Sequence, residues 1–471
     1  MNREKNLLKN TAIISLGTFF PKFFTVLITP ILTAQLTKAE YGEYDLIVTI
    51  VSLLLPIATL QISSAAFRFL INKRGVYDEC KPIVSTIYFF VTITAICSGI
   101  IYYIVVGHIS GISGIIVSIY FVFDILLITT QQVLRGLGKN MLYSVSTIIQ
   151  SIVLLIAVVF LTGLLGSVNF GLAGVVVSLM LSTAVPFFLI LFISGIIAFI
   201  DVKSVSKKTL KDMLSYSWPM VPNNLSIWVL NLSDRLVITA VLGIEANAIY
   251  AVANKLPAIF SSFQNTFTMA WQESASLAAE DNDKEIYYSK MCDGVYRLLT
   301  GLMACLIMFT PIIWKILIRG SYEAAYYQLP VLYLGIMFSC MSSTIGGIYI
   351  AHMKTKSVGI TTMVAAAINF LIDICFIRWI GIWAGSISTL ISYFLLWLYR
   401  LIDVQRFQKI YVDKKRIIAS IAALVLMSIL NFQNTLICNL LNIPVCGIVL
   451  WLFDRDIFKA IIMKFLKKKR R

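Results

Sequence analysis

The sequence is a succession of apolar runs, each about as long as a bilayer's hydrocarbon core is thick, joined by short polar connections. A helix needs about 20 apolar residues to cross a membrane. Because no water solvates the backbone there, helices or a closed barrel are the available solutions. By this measure helices are predicted near 11–36, 42–67, 82–106, 112–134 and 141–165, then near 170–200, 217–242, 247–270, 294–318 and 328–351. The series ends near 358–378, 381–402, 417–433 and 436–453. The predicted fold class is an all-α polytopic membrane protein of about fourteen transmembrane helices. A composition of 59% hydrophobic and 13% charged residues excludes an ordinary soluble globule. The run behind the basic Met1–Asn10 continues past the length of a signal-peptide core without a small-residue cleavage site, so it is read as the first span and no presequence is expected to be removed.

Charge alternates between connections. The N-terminus carries Arg3, Lys5 and Lys9, and the even-numbered connections carry Arg68, Lys73, Arg74 and Lys81, then Arg135 and Lys139, then Lys203, Lys207, Lys208 and Lys211. The pattern continues through Lys284, Lys290 and Arg297, Lys354 and Lys356, and Arg400, Arg406, Lys409, Lys414, Lys415 and Arg416, to the tail at Arg455, Lys459, Lys464 and Lys467–Arg471. Thirty-two of the 39 Lys and Arg fall on this side. By the positive-inside rule it is cytoplasmic, which puts both termini there in a multi-pass cytoplasmic-membrane protein. The net charge of +16 is therefore read as topology, with membrane lipid rather than nucleic acid as its partner. The eight cysteines form no CxxC pair and read as buried free thiols. With only His108 and His352 in the chain, no metal site or cofactor is expected.

An internal repeat divides the chain. In the first span Thr11, Ser15, Thr18, Lys22, Thr25, Thr29 and Thr33 form one polar stripe at helical spacing. A shift of 206 carries it to Ser217, Val221, Asn224, Trp228, Asn231, Arg235 and Thr239, and carries Tyr44 to Tyr250. A second echo pairs Gly171–Gly174 with Gly381–Gly385. Six spans separate the copies, which predicts two parallel lobes, 1–205 and 206–410, with 411–471 as an appended helix pair and basic tail. A substrate path is expected between the lobes.

A cation in mid-bilayer costs roughly 2.5–3.5 kcal/mol and normally faces a bundle interior or aqueous cavity. Lys22, Arg235 and Lys255 are such cations, with Arg68 near the inner end of the second span. Their chemistry suits phosphate oxygens. Asn224, Asn231 and Asn254 lie on the polar faces of the seventh and eighth spans, which are expected to face the same aqueous cleft. The bland alternatives are a hydroxyl packing seam, a local Arg235–Asp234 pair or a snorkelling Arg235, and topology anchoring for Arg68. Asp124 shares a helix face with Gln131 and Arg135, and Asp373 shares one with Asn369. With Asp234 these carboxylates are the candidates for coupling an ion, against an equal case for packing. No Ser/His/Asp, Cys/His or phosphate-loop constellation occurs, so an enzyme is not expected.

The opening KNTAIISLGTFFPKFFTVLITPILTAQLTKAEYGEYDL, Ala65-Ala66-Phe67-Arg68, Ser233-Asp234-Arg235 and the glycine echoes resemble the oligosaccharide-unit (Wzx-type) flippases of the multidrug/oligosaccharidyl-lipid/polysaccharide exporter superfamily, a MATE-like fold. The resemblance covers nearly the whole chain. It implies transport of a polyprenyl-pyrophosphate-linked oligosaccharide from the inner to the outer leaflet by alternating access, for cell-surface polysaccharide synthesis. Undecaprenyl pyrophosphate is the implied carrier, H+ or Na+ the implied coupling ion, and polysaccharide polymerase machinery the implied partner. The rivals are a lipid II flippase, a drug/cation antiporter of the same fold, for which acidic rather than basic groups would be expected, and a membrane glycan polymerase, which would need a sizeable outward loop.

Overall fold

A computed structural model describes residues 2–71, 73–107, 112–164 and 169–469. The side chains of 2–16, 18–19 and 454–469 lie outside that description, and with them Thr11, Ser15 and Thr18 of the stripe, Arg3, Lys5 and Lys9, and the tail from Arg455. His108 lies outside it as well. The protein is all-α and polytopic. Its helices are α1 (Asn2–Gln35), α2 (Lys38–Thr59), α3 (Ile62–Ile71), α4 (Tyr77–Tyr102), α5 (Ile112–Gly136), α6 (Asn140–Leu161), α7 (Gly171–Ile193), α8 (Lys207–Ser217) and α9 (Met220–Leu242). There follow α10 (Ile244–Ala253), α11 (Lys255–Leu277), α12 (Lys284–Leu317), α13 (Glu323–Tyr326), α14 (Leu329–Ala351), α15 (Thr355–Ile380), α16 (Trp383–Asp403), α17 (Lys414–Gln433) and α18 (Leu436–Lys469).

Twelve stretches among the described residues are long and apolar enough to cross a membrane, and they coincide with twelve of the fourteen expected spans. The other two, 11–36 and 247–270, fall on α1 and on α10–α11, where part of the side chains lie outside the description. Two expected spans are broken rather than continuous. The 42–67 run divides into α2 and α3 at Leu60 and Gln61, both with positive φ (47° and 57°). The amides freed there are taken up locally, Leu60 N donating to Ile57 O and Gln61 N to Thr59 Oγ1. The 247–270 run divides at Asn254. Pro257 has no N–H to offer Ala253 O, so the α10 ladder ends at that residue and a new helix starts.

The chain forms two compact units, 1–228 and 229–471, with the boundary inside α9. In the first, Ile87, Phe121, Ile125, Leu127 and Leu134 are fully buried. Small residues let its helices approach closely. Gly17 of α1 faces Ser144 of α6, where an added Cβ would meet the Ser144 backbone at 2.8 Å, and Thr147 Oγ1 donates to Gly17 O (2.7 Å). The second unit is built around α14. Trp271 drives its indole against that helix at Gly347, donating from Nε1 to Thr344 O (2.7 Å) in space that a Cβ would fill.

A half-buried ion network fixes the C-terminal pair. Asp293 of α12 accepts from Arg416 of α17 through both oxygens (2.8 and 3.0 Å) and lies 3.8 Å from Arg297, whose Nε donates to Phe453 O of α18.

Candidate functional site

In α1 the stripe is not uniform. Thr25, Thr29 and Thr33 each donate a hydroxyl proton to the carbonyl one turn back, at Pro21, Thr25 and Thr29. Thr29 and Thr33 are buried, whereas Thr25 and Lys22 are exposed. Such back-bonding satisfies a hydroxyl without help from a neighbouring helix, so the exposed half of the stripe needs no packing partner. Arg68, in the last turn of α3, is also exposed. Trp228, which takes Lys22's place after the 206-residue shift, is buried and donates from Nε1 to Ser52 Oγ (2.9 Å).

Arg235 on α9 and Lys255 at the start of α11 are half-buried. The three asparagines differ. Asn224 Nδ2 donates to Met220 O (3.1 Å) and Asn254 Nδ2 to Tyr250 O (3.0 Å), both within their own turns, whereas Asn231 accepts from Tyr393 of α16 through Oδ1 (2.6 Å). Asp124, the one acid on the first unit's α5, is half-buried beside Tyr120. Its expected face-mates engage other groups. Gln131 donates to Ser146 Oγ (3.2 Å), and Arg135 stacks on Phe67 and Tyr143 at 5.0 and 5.4 Å.

The second unit gathers a different constellation. Asp234 (2% exposed) and Asp373 (1% exposed) turn their carboxyls toward each other although they lie 139 positions apart in the sequence. Asp234 Oδ2 accepts from the Tyr250 hydroxyl and from Thr389 Oγ1 (3.0 Å). The Asn369 amide, oriented by its surroundings, donates to Asp234 Oδ1 (3.0 Å) while accepting from Ser388 Oγ (3.1 Å) and Thr389 N (3.3 Å). Gly385 makes this possible: a Cβ there would stand 3.0 Å from the Tyr250 ring. Both Asp373 oxygens lack a hydrogen-bond donor among the described residues.

A buried ionised carboxylate without donors is costly unless a cation or a proton accompanies it. The groups facing the pair are the two carboxylates themselves, the Tyr250 and Thr389 hydroxyls and the Asn369 amide nitrogen, with no sulfur or imidazole among them. That set fits a proton or a small hard cation. No group of three His, Cys, Asp or Glu side chains suited to a metal occurs among the described residues.

One cation was misread from the sequence. Arg400, counted above with a cytoplasmic connection, is 4% exposed inside the second unit. Its guanidinium donates to Ser342 O and Oγ, Val358 O, Thr361 Oγ1 and Thr362 Oγ1, and an added Cβ at Gly346 would stand 3.3 Å from it. Every acceptor is neutral, so the three helices α14, α15 and α16 are tied by one buried charge. The only hint in the sequence was Ser342, Thr361 and Thr362 in apolar runs.

Residues 7–271 match the family described as polysaccharide biosynthesis protein. The chain belongs to that family. The known proteins it is similar to include an uncharacterized membrane protein of Methanocaldococcus jannaschii, 24% identical over 254 residues, which spans 52% of this chain and about half, 49%, of that protein's length. Among solved structures, the fold is similar to lipid II flippase MurJ in an inward closed conformation, with a TM-score of 0.71 and 16% identity over 96% of this chain and all of the other. It is also similar to an inward-facing multidrug resistance MATE family transporter (TM-score 0.62, 14% identity, 84% of this chain and 95% of the other). A third is a transporter of the same superfamily from Pyrococcus furiosus, described as having a binding pocket of reverse polarity (TM-score 0.55, 13% identity, 85% and 96%).

Proposed function

We propose that this member of the polysaccharide biosynthesis family is a flippase that carries polyprenyl-pyrophosphate-linked oligosaccharide from the cytoplasmic to the outer leaflet of the cytoplasmic membrane by alternating access. The lobes 1–205 and 206–410 are its moving parts, and both termini are cytoplasmic. Lys22 and Arg68 of the first unit and Arg235 and Lys255 of the second supply positive charge to the pyrophosphate, and Asn224, Asn231 and Asn254 meet the sugars. Asp234 and Asp373 take up and release the coupling H+ or Na+, with Asp124 as a weaker candidate for the same work. The product feeds polysaccharide polymerase machinery.

The observation that carries this reading is Lys22, an exposed ammonium within a helix of apolar residues, in a family concerned with polysaccharide. A basic group favours an anionic cargo over the cationic drugs an antiporter would take. The lipid II flippase reading shares the carrier and differs in the glycan. Analysis of lipid-linked oligosaccharides in cells lacking the protein separates the two: a repeat unit accumulating on the inner leaflet supports the proposal, and accumulation of a peptidoglycan precursor supports the alternative.

A further inference from the structure

The connection between α7 and α9 is fastened to the first unit at many points. Lys139 Nζ donates to Ser194 O and Tyr77 OH to Ala198 O. Ser85 Oγ donates to Phe199 O (2.6 Å) and accepts from Asp201 N (3.1 Å), and Thr86 Oγ1 accepts from Ser206 N (3.0 Å). Lys81 Nζ lies 2.9 Å from Asp201 Oδ2, and its hydrogen bond holds the Asp201 carboxyl below the usual carboxylate range.

Helix α8 follows directly, capped by Ser206 Oγ accepting from Thr209 N (3.2 Å). One face buries Met213 and Ser217, with Leu210 and Leu214 against the first unit's core, and Tyr216 meets Phe69 edge-on at 6.1 Å. The other face carries Lys207, Lys208 and Lys211, all exposed, with the exposed Lys203 just before it. Among the described residues none of these four has a carboxylate within ion-pair distance. Asp212 is the one acid on the helix. Four and eleven positions from Lys207, Lys211 and Trp218 fall on the same stripe. Trp218 is 58% exposed and Val202 74%, and Ile197 and Ile200, earlier in the same connection, are exposed as well.

We propose that α8 and the connection before it form a docking platform for anionic phospholipid headgroups. Lys203, Lys207, Lys208 and Lys211 take the phosphodiesters, while Trp218, Val202, Ile197 and Ile200 sit at the depth of the glycerol backbone. Three lysines on an amphipathic helix, with a fourth just before it, attract an anionic leaflet, and tryptophan favours the interface. The patch is held to that surface by the chain itself, because the spanning helix α7 ends at Ile193 and the spanning helix α9 begins at Met220. A soluble anion would leave the apolar side chains in water, whereas a lipid covers both kinds of group. Since the hydrogen bonds above order the platform before any lipid arrives, little conformational freedom is lost on binding.

The test titrates the purified full-length protein in detergent with phosphatidylglycerol or phosphatidylcholine and counts bound lipid by native mass spectrometry. Wild type should prefer phosphatidylglycerol, and the preference should shrink as salt rises from about 50 to about 500 mM. The triple variant Lys207→Gln, Lys208→Gln, Lys211→Gln should lose roughly a hundredfold in phosphatidylglycerol affinity. The matched Lys→Arg triple should retain it, and Lys414→Gln, Lys415→Gln on α17 should leave it unchanged. Unaltered phosphatidylglycerol binding by a folded Gln triple would overturn the proposal. So would equal binding of the two lipids by wild type, a salt-independent preference, or a patch that takes polyprenyl diphosphate while ignoring phosphatidylglycerol.

Discussion

The two copies of the polar stripe start from one pattern and reach different chemistry. In α1 the hydroxyls of Thr25, Thr29 and Thr33 turn back onto their own helix, and the charge among them, Lys22, is exposed. In α9 the same shift replaces Lys22 by the buried Trp228 and replaces Ile28, an apolar residue in the first unit's interior, by Asp234. Tyr44 and Tyr250 are also equivalent, yet Tyr44 is half-buried while Tyr250 is buried and bonded to that acid. Duplication therefore preserves the helix frame while a few substitutions assign separate tasks: an exposed cation to the first copy and an enclosed acid pair to the second.

The largest expected effect tests the acids. Asp234→Asn and Asp373→Asn should each abolish ion-dependent transport while the protein still accumulates, and Asp373→Glu should retain part of it. Asp124→Asn in the first unit should be milder. Equal damage from Asp124→Asn, measured by oligosaccharide reaching the outer leaflet, would erase the asymmetry between the units.

Next comes the cation. Lys22→Arg should keep much of the transport and Lys22→Gln should lose it. Lys22→Leu should fold at least as well as wild type because an intramembrane charge is gone. Trp228→Phe, its counterpart, gives up the bond to Ser52 and should cost about 1 kcal/mol of stability without a charge-dependent transport defect. Normal transport by an abundant Lys22→Leu protein would remove the phosphate role from that residue.

The paired glycines sharpen the comparison. An alanine Cβ at Gly174 would meet Leu161 O at 2.6 Å, and one at Gly385 would meet the Tyr250 ring at 3.0 Å. Each substitution should destabilise by about 1–3 kcal/mol through overpacking, seen as a lower melting temperature. Only Gly385→Ala displaces the tyrosine from Asp234, so it alone should alter the ion dependence of transport.

Acid sensitivity should be the smallest difference. Burial, with Lys284 and Lys354 nearby, pushes the His352 imidazole of the second unit below its ordinary value. The unfolded chain then binds the proton more readily, so stability is lost as pH falls below about 6.5. In the first unit Asp201 is also held low, by Lys81, and its contribution persists until pH falls below about 4. Thermal melts between pH 7 and 5.5 should therefore show a decline that His352→Gln abolishes and Asp201→Asn does not.

Much of this was legible in the sequence because membrane spans are written in single residues at a known period. Twelve stretches lie where apolar length predicts them, and the repeat exposed the kinship of Lys22 with Trp228. The break at Leu60 and Gln61 was hidden because neither residue is the glycine that usually marks positive φ. The break at Asn254 had a sign in Pro257, which is also compatible with a bend in a continuous helix. Asn369 and Asp373 could be matched as neighbours one turn apart. Their meeting with Asp234, Tyr250 and Thr389 could not, since no local pattern encodes contacts among four helices. Arg400 was misassigned for the same reason: at the end of an apolar run a buried arginine and a surface arginine look alike until Ser342, Thr361 and Thr362 are seen around it.

The most direct test of the account is transport of a polyprenyl-pyrophosphate-linked oligosaccharide in proteoliposomes under an imposed H+ or Na+ gradient, comparing wild type with Asp373→Asn. The account predicts that one of the two gradients accelerates wild-type transport and leaves Asp373→Asn at its gradient-free rate. An equal response from both proteins, or wild-type transport indifferent to either ion, would contradict it.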